Sequence, residues 1–561
     1  MSKDQLFKMP EIFPGPRPTV KDKALLPAAL RYIVDQLEGQ RMLKPSEVRR
    51  IVLDAGVQPA DLEPWSDFNH PIADSYGRKL IFAGSNFEIM GMSWAPGDYS
   101  AIHDHGYTQW GAVQVFGPAE HAVFRVDEGR ITTLSRMQFR PGDVVGVSHT
   151  LVHQMGNPTE EYFMTMHVYG RPSDIDNVTG DARVYDLQNE RIQRVDGGVF
   201  YALPESEVKW TEEGPRPDFP TRLRQMVELV RRLKRMADAG VPDSKEQLRD
   251  ALEDLFSARH RTQLLRCLEL NVDADGHEVN STYWRILNQE LREAAKIQLQ
   301  LQEETRPEDR FHHYAELYDA LICQPCLDAF MADYLRFFQK QYAVDFGERS
   351  IFSIGCGTGL AERFMIDELG APFENLMGID ISEAMVTEAR RRIRAELGDI
   401  LAYDGEGKQW DIAFSGLNVF HYLNYERLEE AIQRTAALLQ PGGYFIGDFI
   451  APDHIRWYPN LMYSADKQVI SLRTPQLVED KGRVFQESEI MNINFGEGRM
   501  ELNYAGKHLR FLPPLNRIRA YFERAFGGKV SLYDALSLEL IPDWADSCKS
   551  TRYIVVAQKM G

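Results

Sequence analysis

The chain has 561 residues, of which 43% are hydrophobic and 26% are charged. This composition is typical of a folded globular protein, and the length is sufficient for two or three separate hydrophobic cores. Acidic residues outnumber basic residues by 83 to 64, and the formal net charge of -19 argues against nucleic acid as the main partner. The 5 cysteines are too few for a disulfide framework, so we expect a reducing compartment.

The first segment, residues 1–210, is predicted to begin with helices and to continue as a sheet. ALLPAALRYIVDQLEGQ and SEVRRIVLDAG carry apolar residues at helical spacing. From Lys79 onward, short runs rich in β-branched and aromatic residues are separated by Gly, Pro and Asn, which predicts an antiparallel sandwich or barrel. The start of the chain has no signal-peptide core, and no apolar run approaches the roughly 18 residues of a membrane span. We therefore expect a cytoplasmic protein that does not contact a membrane.

Two histidines one residue apart open the stretch IHDHGYTQWGAVQVFG. Alternate residues of a strand point to the same face, so His103 and His105 can bind one ion together. A metal site needs a third ligand, and the best candidate is His153 in LVHQMGN. The pair alone is weak evidence, because two histidines in a strand can also be purely structural.

The surrounding motifs resemble the two histidine motifs of the cupin superfamily. They comprise APGDYSAIHDHG, a glycine at Gly117, and the spacing from His153 to Asn157. Most cupins have a glutamate after the histidine pair, but here the nearby positions hold Gln109 and Trp110. The site would therefore consist of three neutral imidazoles, and a ferrous site of this kind keeps open positions for a thiolate and O2.

The resemblance is more specific to cysteine dioxygenase, a thiol dioxygenase of this superfamily. YGRKLIF, MSWAPGDYSAIHDHG, LVHQMGN and TMHVYGRP occur in the same order and at nearly the same spacing, over roughly residues 25–200. The resemblance implies an all-β cupin barrel with N-terminal helices, in which His103, His105 and His153 bind Fe(2+).

The same resemblance implies roles for five further side chains. Arg78 would bind the substrate carboxylate through its planar fork, with Tyr76 near it. Thr165, His167 and Tyr169 would form an outer hydrogen-bonded chain, with the Tyr169 hydroxyl pointing at the thiol substrate and O2.

Two positions depart from the family pattern. Trp110 stands where animal members have the cysteine that cross-links to the active-site tyrosine, so we expect no such cross-link. A bulky Trp110 close to the ligands would also change the choice or orientation of the thiol. Thr165 replaces the usual serine, but its hydroxyl can still donate and accept.

The middle segment, residues 211–310, is predicted to be helical. RLRQMVELVRRLKRMADAG and STYWRILNQELREAAKIQLQLQEE are long and amphipathic. We interpret them as a spacer or a dimerisation arm, which would make a homodimer, rather than as a third catalytic unit.

In the third segment, residues 311–561, strand-like and helical runs alternate, which predicts a mostly parallel α/β sheet. IFSIGCGTGLAERF places Gly355, Gly357 and Gly359 between a strand and a helix, where backbone can approach a cofactor closely. Such a turn alone could also serve a dinucleotide. NLMGIDISEAM then puts Asp380 at the end of the next strand, and WDIAFSGLNVFHYL and LLQPGGYFIGDFI follow in order.

This series resembles the class I S-adenosylmethionine-dependent methyltransferases, which have a Rossmann-like α/β domain. The resemblance implies that the three glycines cradle the methionine part of S-adenosyl-L-methionine, that Asp380 holds its ribose and that Asp399 lies near its adenine. Tyr314 and Tyr318, in HHYAELYDAL, would lie in a helix that closes over the cofactor, or would simply pack. The candidates for the side of the small-molecule methyl acceptor are Asn418, His421, Tyr463, His508 and Arg510.

CQPC, with Cys323 and Cys326, would suit a redox or zinc site. No second cysteine pair accompanies it, so we interpret the two residues as packed thiols on a helix.

Together, the two resemblances predict a bifunctional enzyme of a biosynthetic tailoring pathway. Its iron centre would oxidise cysteine or a related carboxylate-bearing thiol at sulfur, and its methyltransferase would act on the product or on a related small molecule. Three alternatives stay open. The iron site could catalyse oxidative cleavage or cyclisation of a thiol, the first segment could be a metal- or ligand-binding module that regulates a methyltransferase, or CQPC could form a redox sensor.

Overall fold

The protein is described from a computed structural model, which covers residues 16–561 except 73, 175–176, 202, 302–308, 310, 313–314 and 424. The chain folds into two compact units. Unit 1 comprises Met1–Phe256 and Ser281–Glu290, and unit 2 comprises Ser257–Asn280 and Leu291–Gly561. The division into segments 1–210, 211–310 and 311–561 stays a prediction, and residues of the middle segment belong to both units.

Unit 1 combines helices with antiparallel sheets. Its helices are α1 (Ala28–Leu37), α2 (Pro45–Ala55), α3 (Pro59–Leu62), α4 (Phe219–Asp238) and α5 (Ser244–Leu255). Its strands are β1 (Gly77–Ala83), β2 (Phe87–Trp94), β3 (Trp110–Val115), β4 (Glu120–Asp127), β5 (Arg130–Gln138), β6 (Val144–Ser148), β7 (Val152–Gly156), β8 (Phe163–Gly170), β9 (Ala182–Asp186), β10 (Arg191–Val195), β11 (Val208–Glu213) and β12 (Arg216–Pro217).

The strands of unit 1 form open sheets in the orders β1-β2-β8-β3-β6, β12-β5-β4-β7 and β11-β10-β9. Within the described ranges no sheet closes on itself, so the cupin barrel stays a prediction. Apolar side chains of β2, β3, β6, β7, β9 and β10 share one core, which places the inner faces of the sheets together. The candidate histidines lie at this inner side.

The other face of the five-stranded sheet is covered by the N-terminal helices. Leu30, Ile33 and Val34 of α1 form a core cluster with Trp110 and Ala112 of β3. Because side chains alternate along a strand, Trp110 points toward these helices and away from the histidines. The expectation that Trp110 lies close to the ligands was therefore wrong.

The residue of β3 that faces Tyr169 is instead a glycine. Gly111 pairs with Tyr169 in the β3–β8 ladder. A Cβ at Gly111 would lie 2.8 Å from Cδ1 of the Tyr169 ring. The tyrosine therefore packs against bare backbone, and β3 offers it no cysteine for a cross-link.

Unit 2 contains an α/β domain and an additional antiparallel sheet. Its helices are α6 (His260–Asn271), α8 (Ala315–Tyr318), α9 (Gln324–Cys326), α10 (Ala332–Gln341), α11 (Leu360–Leu369), α12 (Glu383–Ala389), α13 (Tyr425–Leu438) and α14 (Leu515–Phe526), while α7 (Ser281–Leu301) has residues in both units. Its strands are β13 (Ile351–Ile354), β14 (Leu376–Asp380), β15 (Arg394–Leu397), β16 (Trp410–Ser415), β17 (Leu439–Ile450), β18 (Leu461–Tyr463), β19 (Val469–Asp480), β20 (Arg483–Gly496), β21 (Arg499–Phe511), β22 (Gly527–Asp534) and β23 (Arg552–Lys559).

The main sheet of unit 2 has the strand order β15-β14-β13-β16-β17-β23-β22. Strands β13 to β17 run parallel, and β23 and β22 are antiparallel additions. Two separate hydrophobic clusters involve alternate residues of β13: Phe352 and Ile354 in one, and Ile351 in the other. A mostly parallel sheet buried on both faces is the Rossmann-like arrangement, so this part of the predicted fold is confirmed.

The second sheet of unit 2 has the order β18-β19-β20-β21 and follows β17 in the chain. It supplies Arg473, Ile490, His508 and Arg510 to a large cavity described below. In the described part of the chain, no helix is both long and apolar enough to cross a membrane.

Candidate functional site

Three buried histidines of unit 1 converge. Each of His103, His105 and His153 offers one ring nitrogen, and these nitrogens all lie within 4.8 Å of one another. His153 lies in β7, whereas His103 and His105 lie on the segment before β3 and not in a regular strand. His103 is nevertheless bridged to His153 by backbone hydrogen bonds of 2.9 Å in both directions, which fixes the two rings side by side.

Hydrogen bonds leave ring nitrogens of these histidines available. The carbonyl oxygen of Ala101 accepts a 2.8 Å bond from Nδ1 of His103, so its Nε2 carries the lone pair. Nδ1 of His153 bonds Nε2 of His121 at 2.9 Å, and Nε2 of His153 has no partner. Both ring nitrogens of His105 are buried without a hydrogen-bond partner, and the Leu151 backbone lies near the ring.

Burial keeps the cluster uncharged. It lowers the pKa of His103 to about 4 and that of His121 to about 4, and it moves the pKa values of His105 and His153 well below the usual range. Neutral imidazoles with unpartnered buried nitrogens are ready ligands for a borderline transition metal ion such as ferrous iron. The arrangement therefore fits the metal that the sequence implies.

Thr165, His167 and Tyr169 form a hydrogen-bonded chain along β8. The indole N–H of Trp94 donates to Oγ1 of Thr165 at 3.0 Å. Oγ1 of Thr165 lies 2.7 Å from Nε2 of His167, and Nδ1 of His167 lies 2.8 Å from the Tyr169 hydroxyl. The Tyr169 ring centroid is 5.3 Å from that of His105, which places the end of the chain beside the histidine cluster.

The direction of these hydrogen bonds follows from the indole, which can only donate. Among the described residues, Nε2 of His167 is the acceptor for the Thr165 hydroxyl. Burial lowers the pKa of His167 to about 3, so the ring is neutral and its single proton sits on Nδ1. Nδ1 then donates to the Tyr169 oxygen, and the Tyr169 O–H is left to donate into the site.

Arg78 and Tyr76 lie on the same side of the sheet as this chain. Arg78 Nη2 donates to Oγ1 of Thr179 at 3.0 Å, and within the described residues no carboxylate lies within ion-pair distance of its guanidinium. Its charge acts on both His167 and Tyr169. The Tyr76 hydroxyl accepts from the Val199 backbone at 3.2 Å, and its ring stacks on Trp94 at 4.9 Å.

Two residues near the cluster were not found from the sequence. His121 contacts His153 across the β4–β7 pair, and Trp94 contacts Thr165 across the β2–β8 pair. Each contact joins strands that are distant in sequence, so spacing carries no signal of it. Gln109, by contrast, is exposed to solvent and is not part of the histidine cluster.

In unit 2, the glycine-rich turn joins β13 to α11. Gly355, Gly357 and Gly359 have φ values of 66°, 54° and 76°, which L side chains rarely adopt. A Cβ at Gly355 would lie 2.4 Å from the Val419 side chain. At Gly357 the space is open, because the nearest atom, of Tyr318, would be 3.9 Å away. A Cβ at Gly359 would lie 3.0 Å from the Ile393 side chain, so this position is closely packed.

A pocket of about 330 Å³ opens beside this turn, and we call it the turn pocket. Gly355, Gly357, Asp380, Asp399 and Tyr318 all line it. The Asp380 carboxylate accepts backbone bonds from Gly357 at 2.9 Å and from Ser382 at 3.0 Å. Burial raises its pKa. Tyr314 lies outside the described residues.

A second space of about 730 Å³, the large cavity, adjoins the turn pocket. Phe311, Tyr318, Leu417 and Tyr422 line both. A ligand in one space can therefore meet a ligand in the other, as group transfer between two molecules requires.

Some of the residues predicted for the methyl-acceptor side line the large cavity, and others do not. Asn418, His508 and Arg510 line the large cavity. His421 does not, and both its nitrogens are used: Nδ1 donates to the Phe511 carbonyl and Nε2 accepts from the Ile450 N–H. Tyr463 is 47% exposed and is not a lining residue. His421 is thus a structural histidine, and its predicted role and that of Tyr463 at the acceptor were wrong.

Cys323 is buried, and Cys326 lines the large cavity. Burial raises the pKa values of both thiols, so they are protonated and weakly reactive at neutral pH. This agrees with packed thiols on a helix.

A family model matches a part of unit 2. Residues 351–443 match the family model described as a methyltransferase domain. The predicted methyltransferase domain in the C-terminal part of the chain is thereby confirmed. A hybrid PKS-NRPS synthetase of Emericella nidulans is 28% identical over 131 residues, which are 21% of this chain and 3% of that protein. The chain thus spans only a small part of that relative's length.

Two solved structures are also similar to parts of the chain. An S-adenosylmethionine-dependent methyltransferase from Clostridium acetobutylicum is 17% identical and aligns over 45% of this chain and 99% of its own, with a TM-score of 0.36. An amino pentose methyltransferase from Micromonospora echinaspora is 16% identical and aligns over 41% of this chain and 90% of its own, with a TM-score of 0.31. Both TM-scores are below 0.5, so no inference about this chain rests on them.

Proposed function

We propose that the chain is a bifunctional enzyme. Unit 1 oxidises a small carboxylate-bearing thiol, such as cysteine, to its sulfinic acid with O2 at an Fe(2+) centre. Unit 2 transfers the methyl group of S-adenosyl-L-methionine to a small molecule. The observation that carries the first activity is the convergence of three neutral histidines beside the Tyr169 ring, with unpartnered buried ring nitrogens on His105 and His153.

In unit 1, His103, His105 and His153 would hold the iron. Bound Fe(2+) supplies coordination positions for the thiolate and O2 and the one-electron chemistry that joins them. Arg78 orients the substrate by binding its carboxylate, and its guanidinium contacts the nearby Glu88 through Thr179 and not through a direct ion pair. The reaction consumes one thiol and one O2 and places both oxygen atoms on sulfur, so no external reductant is required.

The hydrogen-bonded series Thr165, His167 and Tyr169 holds one proton at a defined place. Trp94 and Thr165 fix the tautomer of His167, and His167 keeps the Tyr169 O–H directed away from itself. Burial raises the pKa of Tyr169, so it acts as a hydrogen-bond donor and not as a base. Tyr169 can thus stabilise negative charge that develops on the substrate or on oxygen.

In unit 2, the turn pocket would bind S-adenosyl-L-methionine. Gly355 and Gly357 permit close approach of the methionine part, Asp380 would accept the ribose hydroxyls, and Asp399 would lie near the adenine. The sulfonium methyl group is transferred to a lone pair of the acceptor in the large cavity, and S-adenosylhomocysteine leaves. Support comes from the matched methyltransferase domain and from the adjoining cavity.

We place the enzyme in a biosynthetic tailoring pathway. The similarity of 131 residues to a hybrid PKS-NRPS synthetase favours this role. A protein in a pathway of this kind would methylate a product intermediate.

The test is mass spectrometry of the iron-loaded full chain incubated with cysteine, O2 and S-adenosyl-L-methionine, with each component omitted in turn. We expect a gain of two oxygen atoms that requires iron and a methyl gain in an acceptor that requires the methyl donor. If iron stays bound but no thiol of a broad panel consumes O2, the oxidase activity is refuted, and unit 1 is a metal-binding regulatory module. Loss of iron during mild purification would refute the metal site itself.

A further inference from the structure

The large cavity of unit 2 is lined by more positive than negative side chains. Its cationic residues are Arg473, Arg510, Arg552 and Lys549, and its one carboxylate is Asp534. The Asp534 carboxylate already accepts backbone N–H groups of Leu536, Ser537 and Ser550. The cavity therefore has positive charge that its own lining does not neutralise.

The four cations are not equivalent. Arg552 forms an ion pair with the buried Asp448 and also donates to Asn418. Lys549 is exposed, so water screens its charge. The remaining two, Arg473 and Arg510, flank Tyr458, with guanidinium carbons 5.5 Å from its ring centroid in both cases.

Arg510 is the cation with the least compensation. Its Nη2 donates to the Tyr422 hydroxyl at 2.9 Å, its Nε is buried with no hydrogen-bond partner, and among the described residues no carboxylate lies within ion-pair distance. A guanidinium cannot lose its proton at any ordinary pH. Arg510 is half-buried, and a partly desolvated charge without a counter-ion is costly, so this residue is poised for an anion that arrives with a ligand.

Most of the remaining lining is apolar or aromatic. It includes the side chains of Phe311, Phe330, Trp457, Met462 and Ile490. A volume of about 730 Å³ lies within the roughly 300–1,000 Å³ of pockets for drug-sized ligands. Cysteine sulfinic acid, a three-carbon amino acid, would leave most of this space and most of these apolar surfaces without contacts.

We infer that the large cavity binds a drug-sized carboxylic acid with an aromatic or otherwise apolar body, and that Arg510 binds the carboxylate. This acid is the methyl acceptor of unit 2, and that part of the inference rests on the proposed methyltransferase function. Tyr422 connects the two sites, because it accepts from Arg510 and lines both the large cavity and the turn pocket. A carboxylate at Arg510 would therefore be anchored close to the boundary with the methyl donor.

The experiment compares 4-phenylbutanoate with its neutral isostere 4-phenylbutanamide by calorimetry on the full chain saturated with S-adenosylhomocysteine. The carboxylate should bind about 10- to 100-fold more tightly, the range expected for hydrogen bonds to a charged group. Arg510→Gln should abolish this preference, and Arg510→Lys should retain part of it. Lys549→Gln is the matched control, and the preference should survive because that charge is exposed.

Affinity for S-adenosylhomocysteine, measured in the same series, shows that each variant is folded and tests the methyltransferase function separately. Equal affinity for the two probes, a preference that persists in Arg510→Gln, or no binding of either probe would overturn the inference. A chain that prefers the carboxylate but binds no S-adenosylhomocysteine would instead refute the methyltransferase function and keep the anion site.

Discussion

The candidate sites of the two units are both built around nitrogen-containing side chains, which are neutral in unit 1 and positively charged in unit 2. In unit 1, burial lowers the pKa values of His103 and His167 to about 4 and about 3, so the rings are neutral. In unit 2, Arg510 is half-buried and keeps its charge. Burial therefore prepares an imidazole cluster to receive a cation and prepares a guanidinium to receive an anion.

The difference lies in the cost of an empty site. A neutral imidazole without a partner loses the free energy of one or two hydrogen bonds, about 1–3 kcal/mol for each buried group. A buried guanidinium loses more, because its charge cannot be removed by deprotonation. We therefore expect the histidine cluster to be stable before metal binding, whereas the large cavity should be stabilised clearly by an anionic ligand.

The largest effect is expected when one ligand is removed from the histidine cluster. His105→Ala should lose metal almost completely and abolish thiol-dependent O2 uptake, because two imidazoles leave the ion underligated. Metal analysis and oxygen-electrode assays would measure this. His149→Ala is the control, since His149 is exposed and lies outside the cluster. Equal metal content in both variants would contradict the proposed centre.

A second change acts on the turn pocket alone. Asp380→Asn should weaken binding of S-adenosylhomocysteine about 10- to 100-fold, because it removes a charged acceptor that also holds the Gly357 and Ser382 amides. Calorimetry gives the affinity. Asp367→Asn, on the exposed side of α11, should leave it unchanged. If both variants bind equally well, Asp380 has no role in holding the cofactor.

A third change tests whether the hydrogen bond from Trp94 to Thr165 contributes to the activity of unit 1. Trp94→Phe removes the indole N–H that orients Thr165 but keeps the ring that stacks on Tyr76. The metal should stay bound, and kcat for thiol oxidation should fall about tenfold, at the low end of the effect of outer hydrogen-bond partners.

Trp110→Phe is the matched control for this variant. Trp110 is also a buried indole whose N–H donates to a protein oxygen, here the Arg41 carbonyl at 3.4 Å. Because it packs against the N-terminal helices, its replacement should lower stability slightly and leave kcat unchanged. A fall in kcat in Trp110→Phe but not in Trp94→Phe would reverse our assignment of the two tryptophans.

The sequence predicted those features of the sites that are local in the chain. The glycine turn and Asp380 are adjacent to strand ends, and the HxH pair lies within one segment, so spacing alone indicated them. The face to which Trp110 points depends on the pairing of β3 with β8, and a shift of one residue reverses it. Likewise, Arg473 and Arg510 meet at Tyr458 only because β19 and β21 belong to one sheet, which no motif indicated.

The smallest expected effect concerns the ionisation of Tyr458 in the large cavity. Burial raises the pKa of this phenol, but Arg473 and Arg510 outweigh burial and lower the pKa to about 8. The sign follows from charge, because a neighbouring cation favours the phenolate. Tyr458 is therefore protonated below pH 8, and the stability that its phenolate contributes is present at high pH and lost as the pH falls through about 8.

Replacing Arg510 with Gln removes one of these cations, so the pKa of Tyr458 should rise by about one unit. The measurement is an ultraviolet titration of tyrosinate, read as the difference from Tyr458→Phe, because the chain has 23 tyrosines. Bound 4-phenylbutanoate should shift the pKa upward as well, since its carboxylate neutralises the same guanidinium, whereas the amide should not. If the carboxylate leaves the titration unchanged, the anion does not bind at Arg510, and the contrast between a cation site in unit 1 and an anion site in unit 2 is lost.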